Sequence, residues 1–359
     1  MTGTTLDRYV ARQIYASVGF VLVGFLALFA FFDVVAELRD LGRGNYQLPQ
    51  LAAFVLLSLP THAYELLPIA VLIGALYALA HLAGNSEFTV MRAAGLSPAQ
   101  AGRLLLKVGV VFAALTLLIG ELIAPAAETA AEKLRLRAMS KLIAQGLGSG
   151  IWLKDENAFV NIRIARQSNR VNDVTIYQLD SAFRVRSISF VREARYRGEG
   201  RWALADVART EFTPEGPRVE QLAKSEWRSA VEPALLDLLI VRPERMSAWR
   251  LHRYIDHLAE NRQKTERYEI AMWKKLLYPI ASLVMLALAL PFAYMHTRAG
   301  MVGVKVFLGV MLGVFFHMLN NLFAHIGLLQ NWLPVAAAAA PSLVFFGAAV
   351  AMMWWVERR

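Results

Sequence analysis

Six ionisable side chains interrupt otherwise apolar stretches of this 359-residue sequence: His62, Glu65, His81, Glu121, His317 and His325. Charge in hydrocarbon is costly, so such residues are functional candidates by default. His317, Asn321 and His325 recur every four positions with Asn320 adjacent, which gives a helix one polar face. That face must meet a partner, a cavity or the interface. Interhelical hydrogen bonding accounts for it without a reaction. A proton relay needs acids in series, and Glu65 and Glu121 are the only ones in these stretches, each toward the outer end of its run. Enzyme chemistry finds no other foothold. The 7 histidines have no metal-ligand spacing, and H-E-x-x-H, G-x-S-x-G and the phosphate loop G-x-x-x-x-G-K-[ST] are all missing from the sequence. With 0 cysteines there is no disulfide framework, thiolate metal site or cysteine nucleophile. No catalytic residue and no cofactor is expected, and any ATP must be hydrolysed by another subunit.

The elements that position these residues follow from hydropathy. The composition is 57% hydrophobic and 18% charged, against roughly 45–50% and 25% in soluble domains. The excess lies in the first and last thirds. Ile14–Phe32, Leu51–Ala83, Leu104–Ala124, Leu276–Tyr294, Val304–Leu328 and Trp332–Val356 are each long enough to cross a bilayer. Six spans are predicted, the first too long for a cleaved signal peptide. Before it, Leu6, Tyr9, Val10 and Ile14 fall at helical spacing opposite Asp7, Arg8 and Arg12. Either an interfacial helix bends into the first span, or the span simply begins early. Pro60, Pro68, Pro279 and Pro291 are predicted to bend their helices.

Arg8, Arg12, Arg92, Arg103, Lys107, Arg298, Lys305, Arg358 and Arg359 collect on one side of these spans, and basic residues in short loops mark the cytoplasm. Both termini are therefore expected inside and the long central segment outside. The net charge of +10 belongs to this topology and not to a nucleic-acid surface.

Three regions are expected: residues 1–125 with three spans, 126–269 outside the membrane, and 270–359 with three more. In the middle region the period changes to two over Gly150–Ile162, Val171–Leu179, Val185–Tyr196, Trp202–Thr213 and Val219–Trp227. Turn signals at Gly198-Glu199-Gly200 and Pro214-Glu215-Gly216-Pro217 separate strands, which predicts a β-sandwich or jelly roll. Trp152 and Phe159 are expected to point inward along an apolar lipid path, with an open sheet edge offered to a neighbouring jelly roll. Ser247 is placed to cap a helix through Trp249, Leu251, Tyr254, Ile255 and Leu258.

On the inner side, residues 84–95 spell a short isolated helix. Asn85 or Ser86 is placed to cap it, Glu87 suits its positive end and Gly95 suits a left-handed stop. Ser97, Pro98 and Gln100 then open the next helix with a capping box. The short helix would present Phe88 and Met91, flanked by Glu87 and Arg92, to a separate motor; the alternative is a helix lying on lipid headgroups. On the outer side Arg39 and Arg43 are four apart. On a helix continuing past Phe32 they would share a face and hold a lipid phosphate, unless Glu37 or Asp40 pairs with them.

These segments carry a resemblance. Leu6-Asp7-Arg8-Tyr9, Ser86 through Gly95, Gly150-Ile151-Trp152-Leu153-Lys154 and Leu251-His252-Arg253-Tyr254-Ile255 resemble the LptF/LptG family, permease subunits of the lipopolysaccharide export ABC transporter, and lie nearer its G-type members. The resemblance implies an α-helical polytopic protein with six transmembrane helices and an inserted periplasmic β-jelly-roll domain, in a bacterial inner membrane. It implies a coupling helix over 86–94, with Glu87 to Arg92 docking on the ATPase. The implied partners are an LptF-like permease, an LptB-like ATPase dimer, an LptC-like bitopic protein with its periplasmic jelly-roll bridge, and lipopolysaccharide. Where some members carry adjacent lysines after the first span, this chain has Arg39 and Asp40, and Thr61 stands after Pro60 where a relative carries Lys. An exporter of another lipid or lipoprotein, or a scaffold without transport, would share the architecture.

Overall fold

The structure is a computed structural model and describes residues 3–43, 45–146, 151–155, 158–167, 170–180, 184–198, 200–213, 216–229, 246–260, 263–294 and 302–358. Gly150, Glu199, Pro214, Glu215, Arg298 and Arg359, named above, lie outside these residues. The described helices are α1 (Gly3–Glu37), α2 (Leu48–Gly84), α3 (Glu87–Ala93), α4 (Pro98–Leu118), α5 (Ala124–Gly146), α6 (Ala248–Glu260), α7 (Glu266–Tyr294), α8 (Val302–Leu329) and α9 (Pro334–Glu357). Six stretches are long and apolar enough to cross a membrane, carried by α1, α2, α4 with α5, α7, α8 and α9. The protein is a multi-pass membrane protein whose extramembrane sheet is inserted between its third and fourth spans.

Three helices differ from the sequence reading. The chain is helical without interruption from Gly3 to Glu37, so the first span begins early and no separate interfacial helix precedes it. The third span does not stop at Ala124. A π-helical turn over Ile119–Ile123 joins α4 to α5, and the helical path runs from Pro98 to Gly146, about 70 Å at 1.5 Å per residue. The capped helix α6 does not flow into α7 either, because residues 263–265 are non-helical.

The centre of the bundle is α2, which is apolar all round and therefore fit for burial on every side. Gly74 lets α1 approach it closely: a Cβ there would lie 2.6 Å from Val18 Cα. Ile14, Val18, Leu72, Leu76, Met285 and Leu288 are buried together where α1, α2 and α7 meet.

The sheet is a six-stranded antiparallel meander in sequence order: β1 (Ile151–Asp155), β2 (Ala158–Gln167), β3 (Arg170–Leu179), β4 (Val185–Gly198), β5 (Arg201–Thr213) and β6 (Gly216–Arg228). The first predicted stretch is thus two strands. Gly198, Gly200 and Gly216 take positive φ at the expected turns. Among the described residues β1 and β6 each pair on one side only, leaving two open edges.

Period-two alternation breaks in one row across three strands. In β3 both Val171 and Val174 are buried, in β4 Val191 and Ala194, and in β5 Leu204 and Val207, each pair three apart instead of two. The register aligns Asp173, Arg192 and Asp206 in that row, and both aspartates have φ of 53°. A left-handed residue there bends the sheet, so the two halves face one apolar interior: Val160, Ile162, Val174, Ile176, Val191 and Val207 meet Val171, Ala194, Trp202 and Leu204. This curl makes the sheet jelly-roll-like.

Trp152 and Phe159 are on its other side. Trp152 pairs with Asn161 and Phe159 with Lys154, out of phase with the buried Ala158, Val160 and Ile162, and the two are 53% and 40% exposed. The expectation that they point inward is corrected, because alternation separates two faces without saying which one is dry.

Asp tolerates the left-handed region and a β-branched residue does not. Asp173→Val and Asp206→Val should each destabilise the sheet by about 1–2 kcal/mol, while Asp173→Gly and Asp206→Gly should be tolerated. Limited proteolysis of the purified chain would measure this, and equal resistance of Val and Gly variants would remove the strained row as the source of the curl.

Candidate functional site

Three places combine polar chemistry with exposure: the short helix α3 at one end of the bundle, a charged knot at the opposite end, and a cleft between α7 and α8. The first is built by local capping. Ser86 has φ of 61° and turns the chain sharply off α2, though its side chain caps nothing. At the other end Gly95, with φ of +102°, donates to Arg92 O at 3.0 Å while Leu96 donates to Met91 O at 3.0 Å, the paired bonds of a Schellman stop. Ser97 and Gln100 then form the expected capping box, at 3.2 and 3.0 Å.

Side-chain contacts brace α3 on its own bundle. Phe88 is 5% exposed, with its ring edge-on to Tyr294 at 5.1 Å, and the Arg92 guanidinium stands over the same ring at 5.1 Å. Tyr9 on α1 donates to Glu87 Oε2 at 2.8 Å. Met91 packs partly buried against the same core. Phe88 and Met91 therefore face inward, correcting the expectation that they are presented to a motor; burying a Phe side chain is worth about 1.5–3 kcal/mol, and the chain's own core takes that gain. The outward side carries Thr89, Val90 and Ala93, with Val90 65% exposed.

At the opposite end the long helix α5 meets the end of α1. Arg135 lies 2.7 Å from Asp40 and 3.5 Å from Glu37, and Tyr46 donates to Glu37 at 2.9 Å. Burial first, and the adjacent Glu37 carboxylate second, push the Tyr46 hydroxyl pKa well up, so it remains a donor. Thr61 donates to the buried Glu128 at 3.0 Å, and His62 Nε2 is 2.7 Å from Asp33. These bonds tie α1, α2 and α5 together.

Arg39 and Arg43 are both exposed. Regular helix ends at Glu37, a 3-10 turn follows over Leu38–Asp40, and Arg43 pairs with Asp40 at 2.6 Å. They do not share a face of one continuing helix, and Arg43 takes the local pairing.

Glu121 sits in the π-helical turn, and its carboxylate accepts the Ala248 N–H at 2.9 and 3.1 Å. It caps α6 beside Ser247, whose Oγ accepts from Arg250 N at 3.3 Å. Lys275 donates to Met246 O and lies over the Tyr64 ring at 5.4 Å. The acid is thus a fastening between membrane helix and extramembrane chain. Arg135 did not stand out in the sequence, where it looks like an ordinary boundary cation, and Lys275 stood out only, with Lys274, as a cation on the outer side where basic residues are expected to be few; a lone Glu after Gly120 was the available signal for the Glu121 contact.

The polar face of α8 meets a cavity of about 650 Å³ lined also by Tyr64, Glu65, Arg267, Lys274 and Tyr278. Asn321 lies 3.2 Å from His317 Nε2 and accepts from Lys274 at 3.3 Å. No group of three His, Asp or Glu side chains suited to a metal ion occurs among the described residues.

Comparison with known proteins fits this architecture. The family model described as lipopolysaccharide export system permease LptF/LptG matches residues 8–355. The chain is 28% identical over 356 residues to the lipopolysaccharide export system permease protein LptG of Haemophilus influenzae. It is 29% identical over 356 residues to the protein of the same name in Escherichia coli K12. Each alignment covers 99% of this chain and 98% of the relative. The chain belongs to the LptF/LptG family.

Removing one partner of a fully buried pair costs about 3–5 kcal/mol and an exposed pair is worth about 0–1; Glu37 is buried and Arg135 half-buried, so the knot lies between the two. Arg135→Ala should therefore lower thermal stability in detergent strongly and Arg43→Ala hardly at all. Indistinguishable melting of the two variants would remove Arg135 as the centre of the knot.

Proposed function

We propose that this member of the LptF/LptG family is one half of a heterodimeric ABC permease that extracts lipopolysaccharide from the inner membrane and passes it to a periplasmic bridge toward the outer membrane. The observation that carries this reading is α3: a short helix braced on two spans, exposed on one side, in a chain without a phosphate loop. Such a helix transmits work done elsewhere. An LptB-like ATPase dimer binds and hydrolyses ATP and presses on Val90 and its neighbours, with Glu87 and Arg92 orienting the contact and Phe88 and Met91 holding the helix from beneath. Movement of α3 passes to α1 through Tyr9 and to α7 through Tyr294.

In this reading both termini and α3 are cytoplasmic, as the basic residues of the short loops favour, and the sheet is periplasmic. An LptF-like permease completes the membrane pathway, and an LptC-like protein continues the sheet by pairing at an open edge. Arg39, exposed in the turn after α1, offers the first phosphate contact, and Arg43 joins it on release from Asp40. Acyl chains then travel on the apolar interior of the curl, past Val160 and Ile176.

Depletion of the protein should strand lipopolysaccharide in the inner membrane, and the wild-type chain should restore export. Val90→Glu should not, because a charge placed in a packed contact should weaken ATPase co-purification at least about tenfold, or about 1.4 kcal/mol. Accumulation of a different lipid, or full export by the Val90→Glu chain, would sink the proposal. A photocrosslinker at Ile176 should capture lipopolysaccharide only while ATP is hydrolysed, and capture at Phe159 alone would overturn the interior path.

A further inference from the structure

We propose that the groove between the start of α1 and α4, at the α3 end of the bundle, binds an anionic phospholipid by its phosphate. The groove lies at the opposite end of α1 from Arg39 and Arg43, and the proposal does not rest on the transport reading.

Two helix faces form its walls. Arg8, Ala11 and Tyr15 follow one face of α1, and Leu104, Lys107, Val108 and Val111 follow one face of α4. With Asp7 they line a space of about 370 Å³, within the roughly 300–1,000 Å³ of small-molecule sites. The groove changes character along the span. Asp7, Arg8 and Lys107 stand at its mouth, while Tyr15 lies about 10 Å further along α1 and Val111 about 6 Å further along α4. Beyond the mouth the exposed Val110, Val111 and Leu115 of this membrane-crossing stretch meet acyl chains. A cationic end followed by an apolar one matches the order of groups along a phospholipid.

The charge at the mouth is not balanced from within the chain. Lys107 donates to Asp7 at 3.2 Å, and Asp7 is the only carboxylate in the lining. Arg8 is exposed and has no partner among the described residues. The same holds for the exposed Arg12 and Arg103, each one turn from Arg8 or Lys107 on the same helix. Four cations thus stand against one acid. Topology asks only that basic residues gather on this side; it does not ask that a cation from each of two spans converge on one groove. A phosphate there accepts charge-assisted bonds from the Arg8 fork and the Lys107 ammonium. Basic pockets between spans on the cytoplasmic side take phosphate-bearing headgroups. The apolar continuation past Tyr15 and Val111 favours a lipid over free phosphate, which has no acyl chain to place there. Such a lipid ties α1 to α4 beside α3. Leu6-Asp7-Arg8-Tyr9 then serves both sides of α1, giving Arg8 to the lipid and Tyr9 to Glu87.

The test uses the full chain, with the subunits that co-purify, in nanodiscs of phosphatidylcholine doped with phosphatidylglycerol. A photocrosslinker at Val111 reports the groove, and one at the exposed Leu343 of α9 reports bulk lipid. Val111 should capture phosphatidylglycerol at least about tenfold above its share of the lipid, while Leu343 captures both lipids in proportion. Arg8→Gln combined with Lys107→Gln should abolish that preference. Asp7→Asn should raise it, because the one competing carboxylate is gone; a bridge that serves structure alone would give no such rise. The Asp7→Asn result also decides the matter where the double-Gln chain does not assemble. Equal capture of the two lipids at Val111, a preference that Asp7→Asn fails to raise, or an undiminished preference in the double-Gln chain would each overturn the proposal. Displacement of the lipid by inorganic phosphate, but not by chloride at the same ionic strength, would overturn it in favour of a free-phosphate site. If the double-Gln chain keeps its lipid and loses a co-purifying subunit, the cations belong to that subunit and the lipid assignment falls.

Discussion

A charge placed among apolar helices must be answered by another group, and at the sheet end of this bundle a set of contacts between helices obeys that demand. Glu37 and Asp40 at the end of α1 are answered by Arg135 on α5, Asp33 by His62, Glu128 by Thr61, and Glu121 by the N-terminus of α6. Apolar packing alone would leave α1 free to rotate against α2, since lipid offers its outer face as good a partner as protein does. The polar bonds remove that freedom where the membrane helices hand over to the extramembrane chain.

The two ends are thus held in different ways. Helix α3 itself is held by contacts that are partly aromatic, among them a hydroxyl on a carboxylate, a ring edge and a cation over a ring. Such contacts tolerate small shifts of angle. At the sheet end they are short and charged, and they tolerate little. A displacement introduced at α3 is therefore expected to be carried through the spans, not dissipated where it enters.

Much of this was legible in residue patterns. Hydropathy located the six spans, because nothing but length and apolarity decides whether a helix crosses a bilayer. Gly95, Ser97 and Gln100 announced their caps, since capping is a local matter of one side chain and the nearest free backbone groups. Patterns failed where the answer depended on what lies opposite. Phe88 looked like a free apolar knob because Tyr294 is more than two hundred positions away. Trp152 and Phe159 obeyed alternation, yet the dry side of the sheet was fixed by Val160, Ile176 and Val191 packing across the curl. That curl was itself hidden, because an aspartate in a strand advertises polarity and not a left-handed backbone. Arg39 and Arg43 had the right spacing for a shared face, but regular helix ended at Glu37, ahead of both.

The π-helical turn at Ile119–Ile123 adds a geometric consequence. From Pro98 to Gly146 the chain is one shaft, rooted beside α3 and ending near the first strand. On such a shaft each residue advances the axis by about 1.5 Å and turns it by about 100°. A π-helical turn accommodates one residue more than an α-helical turn would. Residue count along the shaft therefore sets the compass bearing at which the sheet leaves the membrane. Losing a single position from that turn would let it close as an ordinary α-helical turn, whereas losing one from the regular helix on either side would swing everything beyond it by about 100° while changing its height by only about 1.5 Å, so the inserted domain is indexed to the bundle much as a key is cut to a lock.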